Sequence, residues 1–199
     1  QIIWHLTDVC YLSCPYCFAT KTERETDIEK LESYIEIFKE LGVQKIDIAG
    51  GDPATYENLH IICNRLKEEG IAQTITTSGT GKPKVLVWIA QNAYYFSRVI
   101  LSIDGSTAEE HDRLRGKGAF KRLTDFYGML GNDISNLRIN TVITKHFNDI
   151  VNCERIVRLI KGFNPIEWCL IQPHPANKKQ QYDAHSVNNE EFNKAIQLI

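Results

Sequence analysis

Ile2-Ile3-Trp4-His5-Leu6-Thr7-Asp8-Val9-Cys10-Tyr11-Leu12-Ser13-Cys14-Pro15-Tyr16-Cys17-Phe18 carries the most information in this chain. A strand-like run opens it and ends in a loop with three cysteines at C-x3-C-x2-C spacing. Three thiolates from one short loop can hold three irons of a cubane iron–sulfur cluster and leave the fourth without a protein ligand. An open iron can bind a substrate, whereas a fully ligated cluster carries electrons. The same triplet admits a zinc knuckle, but zinc sites complete four ligands, often from paired C-x2-C units. No second pair exists here. Cys63 and Cys153 fall in amphipathic helical stretches and Cys169 in an apolar strand-like run. A disulfide use of the triplet stays open beside the zinc reading.

Downstream, Lys45-Ile46-Asp47-Ile48 reads as a second strand and runs into Ala49-Gly50-Gly51-Asp52-Pro53. Two adjacent glycines allow a close backbone approach to a ligand. Beyond this turn, strand and helix patterns alternate to the end of the chain. Strands are predicted at 2–7, 45–49, 72–77, 99–103, 137–143 and 166–171. Helices are predicted at 27–41, 56–69, 83–91, 120–130, 149–160 and from 190 onward, with Gly42, Gly70 and Gly162 as stops. Such alternation predicts an α/β fold with a parallel six-stranded sheet. Periodicity leaves two forms open, a doubly wound open sheet and a curved partial barrel. In both, the loops after the strand C-termini build the site. The cysteine triplet, Gly50-Gly51-Asp52, Ser78-Gly79, and Ser102 with Asp104 all fall on that rim.

At 199 residues and 43% hydrophobic, the chain has mass for one well-cored domain. A net charge of −2 gives no nucleic-acid or anionic-membrane footprint. No apolar run is long enough to span a bilayer. Six cysteines in a chain of this length do not form the disulfide framework of a small secreted domain, and a reducing cytoplasm suits an exposed iron–sulfur site. The chain has no initiator Met, opens within a strand and ends within a helix. It therefore reads as the ordered core, 1–199, of a longer protein.

The triplet, with the Gly-Gly turn at its proper distance behind it, resembles the radical S-adenosylmethionine (SAM) superfamily. The resemblance implies a partial (β/α)6 barrel, a [4Fe–4S] cluster on Cys10, Cys14 and Cys17, and SAM on the open iron. It implies reductive cleavage of SAM to a 5′-deoxyadenosyl radical that abstracts hydrogen from a substrate. The electron would come from a donor such as flavodoxin or ferredoxin. Tyr16, at the position that packs on the adenine, and Phe18 beside it are assigned to the cofactor. Gly50 and Gly51 would approach the methionine end, and Asp52 would hold its ammonium, one methylene shorter than the usual Glu. Ser78, Ser102 and Asp104 are assigned to the ribose or methionine end. Arg115, favoured over Arg113, is assigned to the carboxylate, which a planar guanidinium suits. Val142 would support the adenine. Bland alternatives stand beside these: Ser78 in a plain turn, Asp104 as a cap, solvated arginines, Val142 as core.

Within the superfamily the chain is similar to the viperin-like subgroup, which dehydrates nucleoside triphosphates. Trp4-His5-Leu6-Thr7, Cys17-Phe18, Leu41-Gly42-Val43-Gln44-Lys45-Ile46, Arg138-Ile139-Asn140-Thr141-Val142-Ile143 and Phe163-Asn164-Pro165-Ile166-Glu167-Trp168 carry that similarity. It implies substrate contacts from Lys45, Arg138 and Asn140. Strand six departs from the subgroup. Glu167-Trp168-Cys169 stands where two triphosphate-binding cations would be, and Ala49 replaces a serine. A less anionic small molecule, nucleotide-like or sugar-like, is therefore expected, with Glu167 facing its amine, guanidine or hydroxyl group. Glu167 also reads as an exposed strand-end acid. His174, His185 and Lys178-Lys179 fall in the loop after strand six, where solvated side chains are the common case. A peptide-modifying radical SAM enzyme, a viperin-type dehydratase and a non-enzymatic iron–sulfur or zinc scaffold remain the alternatives.

Overall fold

A computed structural model describes residues 1–17, 19, 21–131, 134–174 and 182–199. Six strands form one sheet: β1 (Ile2–Thr7), β2 (Lys45–Gly50), β3 (Ala72–Thr77), β4 (Phe96–Ser102), β5 (Leu137–Val142) and β6 (Glu167–Ile171). Their spatial order is the chain order, and every neighbouring pair is parallel. That order decides between the two forms left open by periodicity. A doubly wound sheet reverses direction at a switch point, which puts helices on both faces. Here the order never reverses, so right-handed crossovers place the helices that connect the strands on one face and the sheet curls around the other.

The helices are α1 (Leu31–Glu40), α2 (Leu59–Glu68), α3 (Pro83–Gln91), α4 (Ala108–Arg115), α5 (Ala119–Leu130), α6 (Ile150–Phe163), α7 (Tyr182–His185) and α8 (Asn189–Leu198). Strand residues alternate between two environments. Leu6, Ile46, Ile48, Ile75, Val99, Leu101, Leu137 and Ile139 are buried against helix residues such as Ile35, Leu59, Ile62, Ile89, Phe126 and Ile156. The intervening positions (Lys45, Asp47, Thr74, Arg98, Arg138, Glu167) face a polar lumen. A parallel sheet buried on both faces would show continuous apolar runs instead.

Three local differences from the sequence reading have physical causes. α4 was not foreseen because it is polar and buries only His111 and Leu114. Its start is nevertheless written in the sequence: the Thr107 hydroxyl accepts from the Glu110 N–H, a cap. β4 begins at Phe96, three residues before the predicted 99, which brings Arg98 into the sheet. α6 runs through Gly162 and closes at Asn164, whose φ of 46° supplies the left-handed turn assigned to the glycine. Among the described residues no helix is long and apolar enough to cross a membrane.

Candidate active site

The C-terminal ends of β1 and β2 are stitched together where the cysteine loop begins. The Gly51 N–H donates to Thr7 O at 2.6 Å, and the Asp52 N–H donates to Val9 O at 2.9 Å. A Cβ on Gly50 would lie 2.2 Å from Thr7 O, and one on Gly51 would lie 2.3 Å from Val9 O. Gly50 also has φ of 138°. Glycine is required here because the backbone of Thr7 and Val9 presses on the turn.

Cys10 follows Val9 directly, so this stitch sets the start of the loop. The Leu12 N–H points at Cys10 Sγ (3.5 Å). The Cys17 N–H donates to Cys14 O at 3.2 Å, closing a turn with Pro15 at its second position, where the fixed proline φ is favoured. All six cysteines are free. Burial raises the Cys10 thiol pKa and pushes Cys14 up to about 11, with the Arg115 charge opposing the latter. A metal that accepts the thiolate removes that penalty. A cubane takes each thiolate on a different iron, so this donor set fits an iron–sulfur cluster.

Asp104 organises the opposite wall and is fully buried. Its Oδ2 accepts from the Tyr16 hydroxyl and pairs with Arg115 Nε, and its Oδ1 accepts from the Val142 N–H at 2.8 Å. The Asp104 N–H donates to His111 Nδ1 at 3.3 Å. Burial, then the Arg115 charge, pushes that imidazole down to about 4, so it stays a neutral acceptor. Burial, then Asp104, raises the Tyr16 phenol. Burial opposes the Arg115 charge, but Asp104 and its neighbours outweigh it and the guanidinium stays cationic. Asp104, expected at the ribose or methionine end, has its carboxylate oxygens on Tyr16, Arg115 and Val142. It is a hub joining the cysteine loop, α4 and β5.

Asp52 and Ser78, also expected at the cofactor, are tied to each other. Asp52 Oδ1 accepts from the Ala54 N–H (3.0 Å) and the Thr77 hydroxyl (2.8 Å), and Oδ2 accepts from the Ser78 N–H (2.8 Å) and the Ser78 hydroxyl. Ser78 Oγ also shares a hydrogen bond with Thr80 Oγ1. Asp52 is 2% exposed, and neither residue is among those lining the two cavities described below. Replacing Asp52 by Ala strands these donors and should lower stability by about 3 kcal/mol. A fall in the urea midpoint at unchanged slope would register it, and an unmoved midpoint would show the ties to be dispensable.

Two cavities meet at the rim. The first, about 490 Å³, is lined by Cys14, Tyr16, Cys17, Gly50, Gly51, Ser102, Arg115, Val142, Ile171 and His174 among others. The second, about 710 Å³, is the lumen, bounded by Lys45, Asp47, Thr74, Arg98, Arg138 and Glu167. Gly50, Gly51, Thr76 and Asn140 line both. Lys45, Arg138, Asn140 and Glu167, expected to meet a substrate, thus come together. Phe18 and Lys178-Lys179 lie outside the described residues. His185 sits edge-on to Tyr16, with ring centroids 6.3 Å apart.

The lumen is charged and internally paired. Lys45 Nζ lies 3.8 Å from Asp47 Oδ1, and Asp47 also accepts from Thr74 Oγ1 and from Gln1 Nε2. Glu167 is paired by Arg138 Nη1 at 3.1 Å and Arg98 Nε at 3.5 Å. Arg138 Nε donates to Asn140 Oδ1 at 2.9 Å. Arg98 and Asp47 were not foreseen. Their signal was the alternation Asp47–Ala49 and Arg98–Ile100, in register with the lumen positions of neighbouring strands.

A family model described as the Radical SAM superfamily matches residues 4–159. The chain is 26% identical to the AdoMet-dependent heme synthase of Oleidesulfovibrio alaskensis, over 98% of this chain and 51% of that protein. It is 27% identical to the S-adenosylmethionine-dependent nucleotide dehydratase of Flammeovirga pacifica, over 98% of this chain and 71% of that protein. SuiB of Streptococcus suis, solved bound to S-adenosylmethionine, shares the fold with a TM-score of 0.80 at 20% identity. That match covers 98% of this chain and 46% of SuiB. The chain spans about half the length of the heme synthase and of SuiB.

Proposed function

The chain belongs to the radical SAM superfamily, and on that premise we propose that it is the core of an enzyme that reductively cleaves SAM and abstracts hydrogen from a small molecule held in the lumen. The observation that carries this is the junction of the cavities. The one with two cysteine thiols adjoins the charged one at Gly50, Gly51, Thr76 and Asn140, which line both. Cys10, Cys14 and Cys17 would hold a [4Fe–4S] cluster, and SAM would fill the cavity beside it. Together they would supply one-electron reduction and hydrogen-atom abstraction from an unactivated C–H bond.

The residues of this chain bind and orient. Arg115 spends Nε on Asp104 and keeps its terminal amino groups for the SAM carboxylate. Tyr16, pinned through its hydroxyl, offers an immobile ring, and Val142 an apolar wall for the adenine. The Ser102 hydroxyl faces the same space. Tyr11, 57% exposed between the first two cysteines, marks where a small electron donor such as flavodoxin or ferredoxin would approach. A reducing compartment such as the cytoplasm suits that partner.

The similarity to a nucleotide dehydratase favours a nucleotide-like body in the lumen. Asp47 and Glu167 argue against a triphosphate there. Losing a charge-assisted phosphate contact costs about 1.5–3 kcal/mol, and a carboxylate in its place adds repulsion. CTP, GTP and UTP should therefore bind weakly and leave 5′-deoxyadenosine release at its basal level. The measurement is 5′-deoxyadenosine produced by the reduced full-length protein with SAM, with and without each nucleotide. Strong stimulation with a dehydrated nucleotide as product would restore the triphosphate reading.

A further inference from the structure

Glu167 and Asp47 are held differently, and that difference identifies the charge a ligand displaces. Asp47 is tied by Lys45, Thr74 and Gln1. Among the described residues Glu167 is held by two arginines, from β4 and β5. Its side chain is 43% exposed, on the last strand of the sheet. Ion pairs this exposed are weak, so the carboxylate can leave at little cost. The arginines are less free to move. Arg138 Nε is anchored by Asn140, and an Arg98 guanidinium nitrogen donates to Ser97 O at 2.7 Å.

We propose that the lumen ligand is a sugar or nucleoside bearing one phosphate monoester, which takes the place of the Glu167 carboxylate between Arg98 and Arg138. The proposal rests on the reading of the lumen as a substrate site. Once Glu167 swings away, two guanidinium charges face one point. A phosphate monoester carries a charge of about −1.5 to −2 near neutral pH and matches that pair. A carboxylate leaves one charge unmet. A triphosphate brings excess negative charge toward Asp47 and the displaced Glu167. Guanidinium forks suit phosphate oxygens bidentately. Thr74, Thr76 and Asn140 line the rest of the space with groups that bond hydroxyls. A volume of about 710 Å³ holds a body of sugar or nucleoside size.

The test is calorimetric titration of the cluster-reconstituted, SAM-loaded full-length protein with ribose 5-phosphate, D-ribonate, ribose and CTP. Ribose 5-phosphate should bind most tightly. Glu167→Gln should tighten it about tenfold by removing the competing charge, and Arg98→Gln and Arg138→Gln should each weaken it about tenfold or more, in line with the worth of a charge-assisted hydrogen bond. Unchanged or weakened binding in Glu167→Gln would overturn the proposal, as would tighter binding of D-ribonate or CTP. Iron content, SAM affinity and melting temperature are read on the same samples. An intact cluster and normal SAM binding without ribose 5-phosphate binding would sink this proposal alone. Absence of cluster or SAM binding would sink the functional reading beneath it.

Discussion

Replacing Cys10, Cys14 or Cys17 by Ala should each bring 5′-deoxyadenosine production to background. Three thiolates leave one iron open, so losing any one leaves two irons of the cubane without a protein ligand. Nothing nearby substitutes: Cys63 and Cys153 are buried in the helical layer, and Cys169 lies on β6. Iron and sulfide content should fall together, and the visible absorption that bleaches with dithionite should disappear. The fold should survive, because among the described loop residues the thiols give one weak contact, Leu12 N–H···Sγ of Cys10. Melting temperature therefore separates cluster loss from unfolding. A triple-Ala variant that still released 5′-deoxyadenosine would overturn the cluster assignment.

Asp104→Ala should have the largest effect on stability. Removing the carboxylate leaves the Arg115 guanidinium buried without its counter-charge, and the Tyr16 hydroxyl and Val142 N–H without their acceptor. Stranding one partner of a buried ion pair costs about 3–5 kcal/mol. SAM affinity should fall as well, because Tyr16 and Arg115 both lose the group that orients them. Arg115→Ala alone also breaks the pair, so the double variant should lose less than the sum of the two single losses. Urea denaturation with SAM titration measures both effects. An Asp104→Ala protein with a native midpoint would show that the hub holds nothing.

Elements written in local pattern could be read from the sequence, and elements written in distant pairing could not. β1, β3 and α3 fall at their predicted bounds because β-branched runs and an early helical proline mark them. The cysteine loop and the Gly-Gly turn were legible because each is a short motif with its own chemistry. Strand order came from the family resemblance, since periodicity says nothing about which strands become neighbours. The Asp52–Ser78 tie spans 26 residues and leaves no local trace, so it could not be read from the residues around either one. Arg98 was missed because a strand starting at 99 excludes it, and with it went the second guanidinium on Glu167.

The Gly50-Gly51 turn has a mechanical consequence. The same peptide units wall both cavities and brace the backbone leading into Cys10. With Thr7 and Val9 pressed against the glycine Cα atoms, no soft layer lies between cluster loop, cofactor space and lumen. The three share one rigid reference. A displacement of the loop stem would therefore be expected to move both cavity walls together.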